Sequence, residues 1–196
     1  TIKYVQDGFK RNLEATKQPG GTNSFVAQAA FDEYQIDLFF INDLEKQKFK
    51  VGLVCIDIFS KFAAVVPIKS KDQGDVAAGV IEAFVKMGRK PKMIYTDDEA
   101  ALSTTALKTY FEEQKIKHYI TRKHAAFAER FIRTFKGMLY KRIDSKKNNK
   151  TETDPQWIDY VYQVMLTYNN KSVHSSTSKI PAEAIKDTNQ VQSPIP

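Results

Sequence analysis

Three apolar, strand-like runs lie close together in the sequence and constrain the fold more than any other feature. They cover residues 34–41, 49–58 and 61–68, and only a polar segment and a short turn join them. Links this short cannot carry a crossover, so the three runs are predicted to form an antiparallel meander. With 196 residues, 42% of them hydrophobic, the chain can bury the core of one ordinary domain.

Alternating helical and strand-like segments follow the meander. In order they are a helix, a strand, a helix, a strand and three helices, at residues 72–87, 92–96, 104–114, 116–120, 127–143, 156–169 and from Pro181 onward. A meander followed by alternating helices and strands predicts an α/β fold with a mixed five-stranded sheet flanked by helices.

The chain is divided by composition into three parts. Residues 1–24 are predicted to be an N-terminal helix and linker, because QPGGTN ends an apolar helical pattern. Residues 25–145 are predicted to be the core, and residues 146–196 a C-terminal helical extension.

Several classes of protein are disfavoured by the composition. Cys55 is the single cysteine and the three histidines are scattered, so neither a disulfide framework nor a zinc site is expected. No apolar run reaches membrane-spanning length, so no membrane partner is expected. We expect an intracellular, reducing setting.

The positive charge is concentrated in the second half of the chain. Residues 122–150 contain ten Lys or Arg residues against two acidic residues. Such a segment favours a polyanion as partner, and DNA is the natural candidate. The alternative is a solvated basic helix that only keeps the protein soluble.

Two aspartates lie where ligands usually gather in a sheet. Asp37 lies inside an apolar strand, and Asp97 ends another strand in the sequence KMIYTDD. A lone strand Asp usually accepts backbone hydrogen bonds, but an ionised carboxylate at the carboxyl end of a strand is typical of a cation site. Asp57, beside a turn, is assigned a structural role. Asp98 and Glu99 are interpreted as surface acids.

Glu129 is the third candidate acid, at the start of the predicted helix 127–143. It shares one side of that helix with Arg133 and Lys136, opposite an apolar stripe. The alternative is a surface salt bridge between Glu129 and Arg133. The functional hypothesis is that Asp37, Asp97 and Glu129 hold a pair of divalent cations while the basic residues bind DNA phosphates.

Short motifs around these acids resemble those of one family. Gln35 precedes Asp37 in YQIDLFF, Thr96 precedes Asp97, and Glu129 begins ERFIRTFK; the tail contains YNNKSVHSSTSKIPAEAI. On these motifs the chain resembles the catalytic core of retroviral-type (DDE) integrases, most of all those of Polinton/Maverick and virophage-like elements. It departs from the family at Glu99, where the family usually has glycine, and in a shortened spacing between Asp97 and Glu129.

The resemblance implies an RNase H-like fold and a DNA integrase that trims element ends and transfers the strand into target DNA. It implies two Mg²⁺ or Mn²⁺ ions, with Asp37 bridging them and Asp97 and Glu129 each holding one. It also implies a homo-oligomer, working in the nucleus or in a viral particle or factory. The residues expected to bind DNA are Arg122, Lys123, Arg130, Arg133 and Lys136.

Three alternatives remain open on the sequence. An RNase H-like nuclease would share the carboxylates and only hydrolyse. A domesticated DNA-binding module would be non-catalytic, and would be expected to have lost one of the acids, all of which are present here. A structural interaction protein would not need the basic segment.

Overall fold

A computed structural model describes residues 27–121, 125–148 and 155–187. The predicted N-terminal helix and linker, residues 1–24, lie outside these ranges. No helix in the described ranges has the length and apolar character needed to cross a membrane.

The described residues form the predicted mixed five-stranded sheet, with strand order β3-β2-β1-β4-β5. The strands β1, β2 and β3 form an antiparallel meander, whereas β4 pairs in parallel with both β1 and β5. The strand bounds are Glu33–Phe40, Val51–Asp57, Ala63–Ile68, Met93–Thr96 and Lys117–Ile120 for β1 to β5.

Within the described ranges, five α-helices flank the sheet. They are α1 to α5, with bounds Gln73–Met87, Thr105–Glu113, Ala126–Asn148, Ile158–Lys171 and Pro181–Ala184. Gly88 ends α1 in the left-handed conformation, with φ of 78°, as its position after the apolar repeat indicated. Pro181 begins α5, as predicted.

The two faces of the sheet are covered by different helices. Tyr34, Ile36 and Leu38 of β1 join a core with α1 and α2, which we call the α1 face. Phe39 and Ile41 join a second core with α3 and α4, which we call the α3 face. The alternation follows from the period of two along a strand.

Helix α4 belongs to the core of the α3 face. Trp157, just before α4, is fully buried, and its indole N–H donates to the carbonyl of Phe49 at 2.6 Å. Near the other end of α4, the Asn169 side chain accepts from the Ala63 N–H at 3.1 Å and donates to the Ala63 carbonyl at 2.8 Å. These contacts fix α4 to the sheet at both ends.

Candidate metal centre

Asp37 and Asp97 lie side by side because their strands are parallel neighbours. Ile36 pairs with Thr96 in the register of β1 and β4, so the next residue of each strand is an aspartate. Asp37 is only 8% exposed, and Asp97 follows the last residue of β4. The predicted convergence of these two acids is found in the structure.

Glu99 is the third acid in this group. Carboxylate oxygens of Asp37, Asp97 and Glu99 lie within 4.8 Å of one another, a separation that allows one cation to be shared. The Glu99 N–H donates to Asp97 Oδ1 at 3.2 Å, which folds the loop after β4 back toward the site. Glu99, set aside as a surface acid on the sequence, therefore lies partly buried beside Asp37 and Asp97 because of this loop conformation.

Lys71 forms an ion pair with Glu99 at the edge of the group. Its ammonium nitrogen also lies 4.5 Å from the centroid of the Phe40 ring, at the end of β1. Lys71 therefore places one positive charge beside the three acids.

Glu129 lies in the first turn of α3 but outside the group of carboxylates within 4.8 Å. It is nevertheless near enough for its charge to affect Asp37. The assignment of Glu129 as a metal ligand stays a prediction.

The environment of Asp37 disfavours its ionised form. The pKa of Asp37 is raised to about 7, mainly by burial and also by the charges of Asp97, Glu99 and Glu129. A hydrogen bond from the Leu38 N–H at 2.8 Å acts in the opposite direction. A bound divalent cation would reverse this preference, since it offsets the repulsion between the carboxylates. An all-oxygen donor set of this kind fits Mg²⁺ or Mn²⁺.

Asp57 has the structural role predicted for it. It is fully buried and accepts hydrogen bonds from the Phe31 N–H at 2.7 Å, the Ser60 N–H at 2.6 Å and the Ser60 hydroxyl at 2.7 Å. It is absent from the group of clustered acids in the part of the chain that the structure describes.

The basic side of α3 starts beside the acids. Arg130 and Arg133 are exposed, while Lys136 is partly buried, with its ammonium 5.8 Å from the Phe39 ring centroid. Arg122 and Lys123, also predicted to bind DNA, lie outside the described residues. The apolar stripe of α3 is confirmed, with Phe131, Phe135 and Leu139 buried.

The chain has sequence relatives among transposon proteins. No protein-family model matches the chain. Over 148 residues the chain is 30% identical to the retrovirus-related Pol polyprotein from transposon 297 of Drosophila melanogaster. The match covers 74% of this chain but only 13% of the polyprotein, so the chain corresponds to a small part of that relative.

Two solved structures share the fold. The magnesium complex of the HTLV-2 integrase catalytic core domain, in its trimeric form, superposes with a TM-score of 0.68 at 20% identity, covering 80% of this chain and 97% of that one. The simian T-cell lymphotropic virus intasome, in complex with PP2A regulatory subunit B56 gamma, gives 0.72 at 18% identity, covering 92% and 63%. The likeness extends over the sheet and its flanking helices.

Proposed function

We propose that this chain, which has the RNase H-like fold of integrase catalytic cores, processes the 3′ ends of element DNA and transfers them into target DNA. Its sequence relation to a transposon Pol polyprotein and to an insertion-sequence transposase supports a protein of the integrase or transposase kind. The observation that carries the proposal is the meeting of Asp37 and Asp97 on parallel strands, within a group of carboxylates.

We infer that the site holds two Mg²⁺ or Mn²⁺ ions, since its donors are carboxylate oxygens. Asp37, Asp97 and Glu129 would hold these ions. Glu99 is the rival to Glu129 for the third position because it already lies in the group. Such ions, when bound, activate the attacking oxygen and stabilise the leaving oxygen of a phosphodiester. The solved HTLV-2 core in complex with magnesium supports the use of a divalent cation.

The basic side of α3 would bind the DNA end. Arg130 and Arg133 are exposed on the same helix as Glu129, so their guanidinium groups can bind phosphates while the acids act on the scissile bond. An intasome and a trimeric core among the solved neighbours support a homo-oligomer acting on DNA.

Strand joining on labelled oligonucleotides tests the proposal. Purified protein with Mn²⁺ or Mg²⁺ should shorten the 3′ end of a duplex and join it to a second duplex. Joined products distinguish an integrase from a nuclease that only hydrolyses, and a protein that binds DNA without either product would be a non-catalytic module.

The third metal ligand is decided by a matched pair of variants. Glu129→Gln should abolish joining, and Glu99→Gln, which removes the same charge from the same site, should retain most of it. The reverse result would assign the third position to Glu99.

The sequence motifs also indicate the kind of mobile element from which the chain comes. We propose that the chain comes from a Polinton/Maverick or virophage-like element, on the strength of the YQIDLFF, ERFIRTFK and tail motifs. An integrase of such an element would act inside the cell, in the nucleus or in a viral particle or factory.

A further inference from the structure

The first turn of α3 carries Glu129 but lacks a capping side chain of its own. The Glu129 N–H donates to the Ala125 carbonyl at 2.9 Å, which makes Ala125 the N-cap residue. Alanine has no side-chain oxygen to accept from the next free amides of the helix. Those amides belong to Phe127 and Ala128, and they need acceptors from elsewhere.

Gln35 of β1 supplies the missing acceptor. Its side-chain oxygen accepts from the Phe127 N–H at 2.9 Å and from the Ala128 N–H at 3.1 Å. These are the second and third residues of the helix, the positions that a local capping side chain would serve. Gln35 is 1% exposed, so water cannot easily replace it.

The cap joins two parts of the proposed metal site. Gln35 and Asp37 are two residues apart on β1, so both side chains point to the α3 face. Glu129 follows Ala128 directly in α3. The pair of hydrogen bonds therefore fixes the start of the helix, and with it Glu129, relative to the strand that carries Asp37.

A second contact holds the same turn from the side. Lys61 is 3% exposed, its ammonium lies 4.2 Å from the centroid of the Phe127 ring, and it donates to the Ile58 carbonyl. The pKa of Lys61 is lowered to about 8, mainly by burial and also by the charge of Arg130, while Asp57 acts in the opposite direction. This contact holds the Phe127 side chain, whereas Gln35 bonds the backbone.

We propose that Gln35 is a positioning residue of the metal site, which sets the place of Glu129 opposite Asp37 by capping α3 from β1. Its effect on metal binding and joining rests on the proposed function, whereas the cap itself can be measured without it. A displaced supporting group in such a site typically costs 10-fold to 100-fold in metal affinity or activity.

The chain provides a matched control in Gln47. Its side chain accepts from the Trp157 N–H at 2.9 Å and donates to the Pro155 carbonyl at 3.0 Å. It therefore joins the β1–β2 loop to the segment that precedes α4. Gln47 is 8% exposed and lies in the loop between β1 and β2. Helix α4 carries none of the acids of the proposed site.

The experiment compares Gln35→Met, Gln35→Glu and Gln47→Met with the unchanged chain. Methionine keeps the length of glutamine but is only a weak hydrogen-bond acceptor, whereas glutamate keeps the acceptor oxygen and its negative charge suits a helix N-terminus. The three measurements are amide hydrogen exchange, Mn²⁺ affinity, and kcat and KM for strand joining.

Gln35→Met should speed exchange at the Phe127 and Ala128 amides by about 10-fold or more. It should weaken Mn²⁺ binding about 10-fold and lower kcat for joining roughly 10-fold to 100-fold, with little change in KM for DNA. Gln35→Glu should retain exchange protection at both amides. Gln47→Met should affect exchange at Trp157 and leave Mn²⁺ affinity unchanged.

The positioning role would be overturned by unchanged Mn²⁺ affinity in Gln35→Met, or by equal weakening in Gln47→Met. If the unchanged chain binds no Mn²⁺, the proposed function and this role both fall, while amide exchange still shows whether Gln35 caps the helix. Should Gln35→Met not fold, Gln35→Asn, which is one methylene shorter, is measured in its place under the same criteria.

Discussion

The two faces of the sheet differ in what β1 contributes to them. On the α1 face β1 places Tyr34, Ile36 and Leu38, all within an apolar core. On the α3 face it places Gln35 and Asp37 before the apolar Phe39. Because successive side chains point to opposite faces, β1 contributes apolar core residues to the α1 face and residues of the proposed metal site to the α3 face.

The two polar residues that β1 buries on the α3 face both have hydrogen-bond partners. Gln35 is buried against the amides of α3, and Asp37 accepts from the Leu38 N–H. Buried polar groups without such partners would cost stability. We therefore expect replacement of the apolar β1 residues on the α1 face to change stability alone, and replacement of Gln35 or Asp37 on the α3 face to change activity as well.

The largest expected effect is the loss of activity in Asp37→Asn. The substitution removes the most buried carboxylate of the group while keeping its shape, so joining should fall roughly a thousandfold or more. The rate of joining on labelled duplexes measures this. Asp98→Asn is the control, because Asp98 is an exposed neighbour of the site and should keep normal activity.

The second effect is a dependence of stability on pH in the absence of metal. The raised pKa of Asp37, about 7 against an ordinary 3.8, means that the folded chain holds one more proton than the unfolded chain between these values. The free energy of unfolding should therefore fall as pH rises from about 4 to about 7, by up to about 4 kcal/mol from this group.

Urea unfolding in EDTA across that pH range measures the effect. Asp37→Asn should remove this part of the slope, and Mg²⁺ should stabilise the unchanged chain more at pH 7 than at pH 5, because the metal competes with the proton. A slope that is the same in both proteins would contradict the assignment.

A cavity on the α1 face should cost stability without a change in chemistry. Leu107 of α2 is fully buried in that core, so Leu107→Ala should lower the free energy of unfolding by about 3 kcal/mol. Leu166→Ala on α4 is the control, since Leu166 is 42% exposed. Joining by the folded Leu107→Ala protein should stay near normal; a large loss would mean that the two faces are coupled.

Close packing on the α3 face gives a smaller effect. The Phe39 ring lies directly over Gly52, so the methyl group of Gly52→Ala would overlap the ring, which also contacts Phe135 and Trp157. We expect a loss of about 2 kcal/mol in urea unfolding. Gly74→Ala in α1 meets nothing within 4 Å and should be neutral or slightly stabilising.

The smallest effect concerns DNA affinity. Arg133→Ala removes one exposed positive charge beside Glu129, so affinity should fall by a few-fold and the salt dependence of log K should decrease by about one. Fluorescence anisotropy at several salt concentrations measures both. Lys108→Ala, an exposed charge on α2, should change neither, and an equal change would show that binding follows total charge and not the α3 surface.

The elements of the fold were predictable because their signals are local. Short links between apolar runs determined the meander, and the helical spacing of apolar residues located α1, α3 and α4. The meeting of Asp37 and Asp97 also followed from sequence, since both lie in strands expected to share one sheet. The structural role of Asp57 followed from its place beside a turn.

Other features depended on tertiary structure. Three consecutive acids at residues 97–99 look alike in sequence, and only the loop conformation after β4 brings Glu99 into the group. Nothing in the stretch AAFAE indicates that its cap is Gln35, 92 residues earlier. The spacing of apolar residues is a property of nearby positions in the chain. The sequence alone therefore determined the strands, the helices and the positions of Asp37 and Asp97 on or after strands. The contacts of Glu99 and Gln35 join residues that are distant in sequence. They depend on tertiary packing, so only the folded structure determined them.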